Sequence, residues 1–572
     1  MIEKLKRINL FTKTLAQVKK KDKFFSLLTN CLADLTDSQV AVFYQREEDI
    51  RGNERLVFKS YQDRKQGIHS LRMEDGEDFA EISMNSDGGR INVKNPLVYA
   101  LHYNKIAYCS TEESSEVEGR FNIRPNDHDW SFFYFFKDRY GTPFDNILIV
   151  PLVNYKNEKV GCLVLSADKY SHTEEDHQLI IFFSQLAVSI LTNHILNLDL
   201  KKLFESFVSV LAKAIDDKSP YTGAHCRRVP AITMLIADTL NAVKTGHFKD
   251  YALSPEKRYE LELAALLHDC GKVTTPVHIM DKSTKLETIF DRIHLLDERV
   301  EIIKRDFEIE SLRGQIHLLE DKKMNKKDRL ERIDSLGKKL MYQLEHLEKD
   351  FQFLKKINFG QEKVAETDIH HVREISRRYG WVDRYEVTRD FLTDNELKNL
   401  EIKKGTLLPE ERDLINHHID VTIEMLESIH FPAHLKRIPE LAGGHHEKMD
   451  GSGYPKQLTR FEMSLEARIM GLADIFEALT AVDRPYKKGK TLSETMHIMG
   501  LMMQGKFIDE DLFHAFVDEK IYLAYAKEYL NDYQIDEVVH SKIPGYIPPE
   551  ERILQERRKK KRFNFWQVKK AA

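Results

Sequence analysis

The 572-residue sequence predicts a multidomain chain, an α+β unit followed by an all-α half that a long helical segment interrupts. Three observations predict it. Short apolar runs bounded by turn residues recur up to about residue 200, where helical periodicity replaces them. Two heptad patterns occupy the middle of the second half. The length also exceeds what one core usually organises, and a prior of about 100–200 residues per domain gives two to four units.

The first 20 residues read as an N-terminal helix, and the α+β unit spans 21–200. Its clearest part is NILIVPLV at 146–153 followed by KVGCLVLS at 159–166, two runs that NYKNE at 154–158 joins as a hairpin. TEED at 173–176 is an N-cap signature with acid in the first turn, and it opens a long amphipathic helix through Leu179 to Leu200. This order of elements resembles the GAF domain, a small α+β sensor fold whose closing helix passes a signal onward. The resemblance implies a small-molecule ligand. A scaffold or dimerisation unit without a ligand accounts for the same pattern.

Residues 201–545 form the helical domain, entered through Leu203, Phe207, Val210, Leu211 and Ala214. An insert at 287–404 interrupts it. There Ile289, Ile293, Leu296, Val300, Ile303 and Phe307 recur in alternating steps of four and three, and a second heptad seam runs through Ile333, Leu336, Leu340, Leu344, Leu347, Phe351 and Leu354. With the polar DKKMNKKD at 321–328 between them, an antiparallel helical hairpin is the simplest arrangement, although each arm could pair with a second subunit. A homodimer is expected. The tail, 546–572, contains RRKKKRFNFW at 557–566, which could touch acidic lipid or nucleic acid but reads first as a solvated end.

Composition excludes several classes. Hydrophobic residues make up 42% and charged residues 31%, a globular balance, and a net charge of −5 gives no field that would hold nucleic acid stably. Cys31, Cys109, Cys162, Cys226 and Cys270 are odd in number and form no CxxC pair, so neither a disulfide framework nor a cysteine zinc site is expected. Lysines break the N-terminal apolar residues too often for a signal peptide, and no uninterrupted apolar run nears the roughly 18 residues of a membrane span. A cytoplasmic chain without a transmembrane segment is the expectation.

The chemistry lies in the helical half. An apolar run, LELAALL, ends in His268 and Asp269, followed by Gly271 and Lys272. Such a pair alone is commonly structural, but it has company: His225 near a helix start, His417 and His418 in an amphipathic helix beginning near Pro409, and GGHHEKMDGSGYP at 443–455 with His445 and His446. Further on, ARIMGLADIFEAL at 467–479 buries Asp474 in an apolar stripe, where an unpaired carboxylate needs a cation or strong donors. Imidazole with carboxylate suits iron, manganese or zinc, and a central carboxylate can bridge two ions. Two such ions clamp a phosphodiester and generate hydroxide at neutral pH, while Lys272 offsets charge developing on the phosphoryl oxygens.

Together the HDxGK segment, the HHE-to-GYP block ending at Gly453, Tyr454 and Pro455, and ADIFEAL resemble the HD-GYP family in its own order. The resemblance implies an all-α HD fold that hydrolyses the bacterial second messenger cyclic di-GMP with two or three metals, often iron. Carried over by position, one metal takes His225, His268, Asp269 and Asp474, and the second shares Asp269 and takes His418, His445 and His446. Asp269 and Lys272 are the catalytic positions, and Arg484 and Lys487 resemble the family's contacts to substrate phosphates. Tyr221 stands where members with a third metal carry Glu, which favours two divalent ions, iron first and manganese second. His417 is expected at the surface, and Cys226 and Cys270 as packing residues.

The reading is a metal-dependent phosphodiesterase that opens cyclic di-GMP to linear pGpG or GMP under control of the GAF-like unit. Its rivals are the same chemistry on cyclic GMP-AMP, because these motifs read phosphates and not bases, and a catalytically weak cyclic-dinucleotide sensor acting through protein partners.

Overall fold

The computed structural model describes residues 14, 21–36, 38–49, 53–64, 68–71, 81–85, 91–110, 121–123, 129, 131–140, 146–167, 174–218, 225–360, 363–482 and 489–555. Two units divide at 204/205. Tyr221, Arg484, Lys487 and the basic run at 557–566 lie outside the described residues.

In the first unit, strands β1 (Val40–Glu48), β2 (Glu54–Asp63), β3 (Ile68–Leu71), β4 (Glu81–Ser83), β5 (Ala107–Ser110), β6 (Phe121–Ile123), β7 (Asn146–Val153) and β8 (Lys159–Ala167) form one sheet. Its order is β3-β2-β1-β8-β7-β5-β6, with β4 beside β2. The hairpin read from the sequence is β7–β8, paired from Asn146↔Ala167 onward. Its turn closes because the Asn154 Oδ1 accepts from the backbone N–H groups of Lys156 and Glu158, both at 2.9 Å.

Side chains alternate across a strand, so β1 serves two cores. Val40, Val42 and Tyr44 pack with Leu97 and Leu101 of the helix Pro96–Tyr103 and with Phe133 and Phe136 of the helix Ser131–Tyr140. Ala41 and Phe43 face the opposite way, onto Phe24 and Leu28 of Lys21–Thr36 and onto Ile180, Phe183 and Ala187 of Glu174–Lys218. These four helices are α1 (Lys21–Thr36), α2 (Pro96–Tyr103), α3 (Ser131–Tyr140) and α4 (Glu174–Lys218). With helices on both faces of a largely antiparallel sheet, the unit is α+β, as expected. An 18-residue window of α4 is apolar enough to cross a membrane by length and composition alone, a feature the sequence reading did not register. Part of that apolarity is the face packed on the sheet.

The second unit is mainly helical: α5 (His225–Ala242), α6 (Pro255–Leu267), α7 (Ile293–Glu320), α8 (Lys326–Asn358), α9 (Glu366–Arg378), α10 (Asp394–Leu400), α11 (Pro409–Asn416), α12 (His418–Glu427), α13 (Ile438–Gly443), α14 (Leu465–Thr480), α15 (Leu492–Gln504), α16 (Glu510–Asp518) and α17 (Ile521–Tyr529). The insert's arms α7 and α8 pair with each other in antiparallel fashion, tied by Lys304 to Glu348 at 3.0 Å and by Lys339 to Glu310 at 3.3 Å. Leu296, Val300, Ile303, Leu347, Phe351 and Leu354 build the seam. Ile289 does not join it: it precedes α7 and is 92% exposed. The insert also holds a two-stranded sheet, β9 (Gly380–Val382) with β10 (Thr388–Asp390), that the helical reading missed. The single helix expected from Pro409 is two, α11 and α12, divided at His417.

Candidate metal centre

Helix ends supply most of the cluster. His225 opens α5, His268 caps the C-terminus of α6, and Asp269 follows it into a 3₁₀ turn at Cys270–Thr274. His418 opens α12, and His445 and His446 lie just past α13. Asp474 projects from within α14. Two close approaches set these positions. A Cβ on Gly271 would stand 2.0 Å from the His418 carbonyl oxygen, so only glycine lets the 3₁₀ turn lie against α12. A Cβ on Gly453 would stand 2.4 Å from the Lys448 nitrogen, and that tight loop puts the Tyr454 ring on the His446 ring, 4.8 Å between centroids and 17° from parallel. The buried Glu447 carboxylate holds the same loop by accepting from the N–H groups of Lys456 and Leu458 at 2.7 and 2.9 Å.

Asp269 is the hub. Its Oδ2 lies 3.1 Å from His225 Nε2, 3.2 Å from His268 Nε2 and 2.5 Å from Lys272 Nζ. Its Oδ1 faces the other way, 3.1 Å from His418 Nε2 and 3.9 Å from His445 Nε2. Asp474 Oδ1 stands 3.4 Å from His225 Nε2 and 4.0 Å from His268 Nε2. The ligand atoms of His225, His268 and Asp269 lie within 4.8 Å of one another, as do those of His418, His445 and His446. The seven residues singled out in the sequence, with Lys272, therefore meet in one cluster.

The donor atoms suit cations. The Nδ1 of His268, His418 and His445 lies 2.8, 2.5 and 2.6 Å from the carbonyl oxygens of Ala265, Ile415 and Ala442. A carbonyl can only accept, so each Nδ1 carries a proton and the ring turns its Nε2 to the centre. Asp269 Oδ1, His418 Nε2 and His445 Nε2 are buried and have no hydrogen-bond partner among the described residues. Lone pairs gathered at about 3–4 Å in a buried site are costly unless a cation lies among them. The residues present fit divalent ions.

Electrostatics agree with that fit. Burial alone would raise the Asp269 carboxyl, but His268 and Lys272 beside it, with hydrogen bonds from His225 and His268, hold it well below the usual carboxylate range. Burial and the neighbouring His268 bring His445 down to about 4, and burial with His445 and His418 depresses His446, so both rings are available as neutral ligands near pH 7. Burial opposes the charge on Lys272, yet Asp269 raises its ammonium pKa. Burial also pushes the Cys270 thiol up to about 11 and Cys226 higher, which suits packing residues.

Two points, at Asp474 and Glu477, differ from the sequence reading, and His417 lies at the surface as expected. Asp474 is not fully buried, its side chain keeping 15% exposure. The deeply buried carboxylate of α14 is Glu477, which accepts from His225 Nδ1 at 2.5 Å and from Arg228 Nε at 2.6 Å. Its place three residues after Asp474, on the same face of one helix, was the available signal. His417 is 62% exposed and pairs with Asp420. Arg484 and Lys487 fall outside the described residues, so the structure does not place the expected phosphate contacts.

Two family models, both described as HD domain, match residues 222–335 and 394–512. These two segments of the helical half thus match the HD domain that the sequence motifs indicated. Among curated proteins it is similar to a 3'3'-cGAMP-specific phosphodiesterase 1 of Vibrio cholerae, 42% identical over 14% of this chain and 18% of that protein. It is also similar to a cyclic di-GMP phosphodiesterase of Thermotoga maritima, 34% identical over 20% of this chain and 31% of that one. The chain thus spans under a third of the length of either relative. A solved structure, "Bd1817, a HDG"Y"P protein from Bdellovibrio bacteriovorus", is similar at 11% identity and TM-score 0.26, over 64% of this chain and 84% of that one. The GAF domain of an Acinetobacter phosphoenolpyruvate-protein phosphotransferase covers 34% of this chain and 97% of its own at 14% identity and TM-score 0.21.

Proposed function

We propose that residues 201–545, interrupted by the insert 287–404, form a metal-dependent phosphodiesterase that opens cyclic di-GMP to linear pGpG or GMP. The observation that carries this reading is Asp269, with one carboxylate oxygen toward each of two histidine groups. His225, His268 and Asp474 would hold one divalent ion with Asp269, and His418, His445 and His446 the other, iron first and manganese second. Two ions so held would supply Lewis-acid activation of water and of the phosphoryl group.

The chain's own groups do the rest. Lys272, charged and against Asp269, offsets negative charge developing on the phosphoryl oxygens. His446, stacked on Tyr454, is kept in orientation by the GYP loop. Arg484 and Lys487 are assigned to the substrate phosphates. The α+β unit at 21–200 is assigned a small-molecule ligand and control of hydrolysis, and the working form is a cytoplasmic homodimer.

Cyclic GMP-AMP is the second reading, favoured by the 42% identity to a relative named for that substrate. Purified full-length protein reconstituted with Fe(II) or Mn(II) is expected to turn over cyclic di-GMP faster than 3'3'-cGAMP. The reverse ratio moves the assignment to cyclic GMP-AMP. Binding of both without turnover replaces the enzyme by a sensor.

A further inference from the structure

His268, His418 and His445 fix their tautomer in the same way. Each lies at a point where its Nδ1 reaches the carbonyl three residues earlier, and so its Nε2 is turned to Asp269. His225 is placed differently. It is the first residue of α5, and among the described residues none of its own helix precedes it to offer a carbonyl. Its Nδ1 lies instead 2.5 Å from Glu477 Oε2, on α14, and the other oxygen of that carboxylate accepts from Arg228 Nε at 2.6 Å. Glu477 is 2% exposed at its side chain, so no water competes strongly for it.

We propose that Glu477 is the positioning residue of this centre: it holds the proton of His225 on Nδ1 and aims Nε2 at Asp269, with Arg228 keeping the carboxylate oriented. This deepens the metal-centre reading and rests on it. A carboxylate acceptor polarises the ring more than a carbonyl does, so His225 becomes a stronger electron-pair donor than a carbonyl partner would make it. The two histidine groups are then unequal, and the one containing His225 answers to Glu477. Helix α14 also delivers two functions at once, since Asp474 and Glu477 stand one turn apart, the first facing His225 Nε2 and the second its Nδ1.

Glu477→Gln and Glu477→Ala in the full-length chain test this by two readouts other than turnover. In metal-free protein, nitrogen NMR of the histidine rings should show a solvent-protected Nδ1–H on His225 in the parent and in Gln, whose amide oxygen still accepts. In Ala that signal should be lost. In Mn(II) titrations, Ala should weaken one of two ions by about 10–100-fold and leave the other, with Gln falling less. An Ala variant that keeps the protected Nδ1–H, or that binds both ions like the parent while only its melting temperature drops, overturns the proposal. Should the parent chain itself take up no divalent ion, the metal-centre reading fails, whereas the ring-proton readout still decides for or against Glu477.

Discussion

The insert and the helical core it interrupts both bury charge, and they answer it in opposite ways. In the insert, the buried Glu396 accepts from the Arg299 guanidinium at 2.7 and 3.2 Å. Asp350 accepts from Arg378 Nη1 at 2.7 Å and from the Tyr379 hydroxyl at 2.8 Å. At the insert's base, Lys285 gives its ammonium to the carbonyls of Leu400 and Ile402 at 3.1 and 2.8 Å. Around Asp269, by contrast, Lys272 meets Oδ2 alone of the two carboxylate oxygens among the described residues, and there Asp269 Oδ1, His418 Nε2 and His445 Nε2 have no hydrogen-bond partner. Charges met by the chain's own partners stabilise a fold. A buried carboxylate oxygen and two ring nitrogens turned to one centre with no donor between them mark a place built for something else.

The comparison breaks if Asp269 behaves as a structural residue. Asp269→Ala is expected to remove both ions together and to lower turnover of the cyclic dinucleotide on the order of 1,000-fold or more, about 4 kcal/mol in barrier. Metal analysis and a turnover assay on the same preparation check it. Retained turnover with both ions bound would end the shared-carboxylate model.

Arg299→Ala should act on stability instead. Glu396 keeps only 2% exposure at its side chain, so losing the guanidinium leaves a buried carboxylate unpaired, at a cost of about 3–5 kcal/mol. Denaturant unfolding measures this. Metal content per folded chain should match the parent, and a loss of metal without a loss of stability would contradict the division drawn here.

Lys285 sharpens the same division through pH. Burial lowers its ammonium pKa to about 8 from 10.5, because two carbonyls replace water but bring no counter-charge. Between pH 8 and 10.5 the unfolded chain therefore holds more protons than the folded one, and the contribution of Lys285 to stability rises with pH. Below pH 8 the charged form is buried at full cost. Lys285→Met should erase that rise, a difference of up to about 3 kcal/mol between pH 7 and 10.5 when parent and variant are unfolded side by side. Parallel curves for the two proteins would mean that Lys285 is not buried as a cation.

How much of this was legible in the sequence follows from the range of the forces involved. The β7–β8 hairpin was legible because its signal is local, two apolar runs and an Asn that closes the turn. The α7–α8 pairing was legible because a heptad repeat is itself a statement about a partner helix. Ile289 fitted that repeat by number, yet it precedes the helix, since periodicity says nothing about where a helix starts. Strands β9 and β10 are three residues each with no fully buried position, too short for a period of two to register. The cluster's residue types were readable from motif order, whereas Glu477 was passed over because its importance comes from His225, 252 positions away. The burial of Asp474 was overread for a related reason. An apolar stripe fixes the side of a helix and not the depth of each residue on it, and Asp474 lies where that stripe opens to the cluster.

The smallest effect is expected at His417, next in the chain to a residue with a large one. A helix break at His417 turns its ring outward, where it is 62% exposed and lies 3.1 Å from Asp420, while His418 is directed to Asp269. An exposed pair of this kind is worth at most about 1 kcal/mol, and the ring contributes no donor atom to either group. His417→Ala should therefore leave ion content unchanged and alter turnover less than about 2-fold, whereas His418→Ala, one position on, should release an ion. Equal losses from the two would show that the break between α11 and α12, and not the direction of the His418 ring, is what the centre depends on.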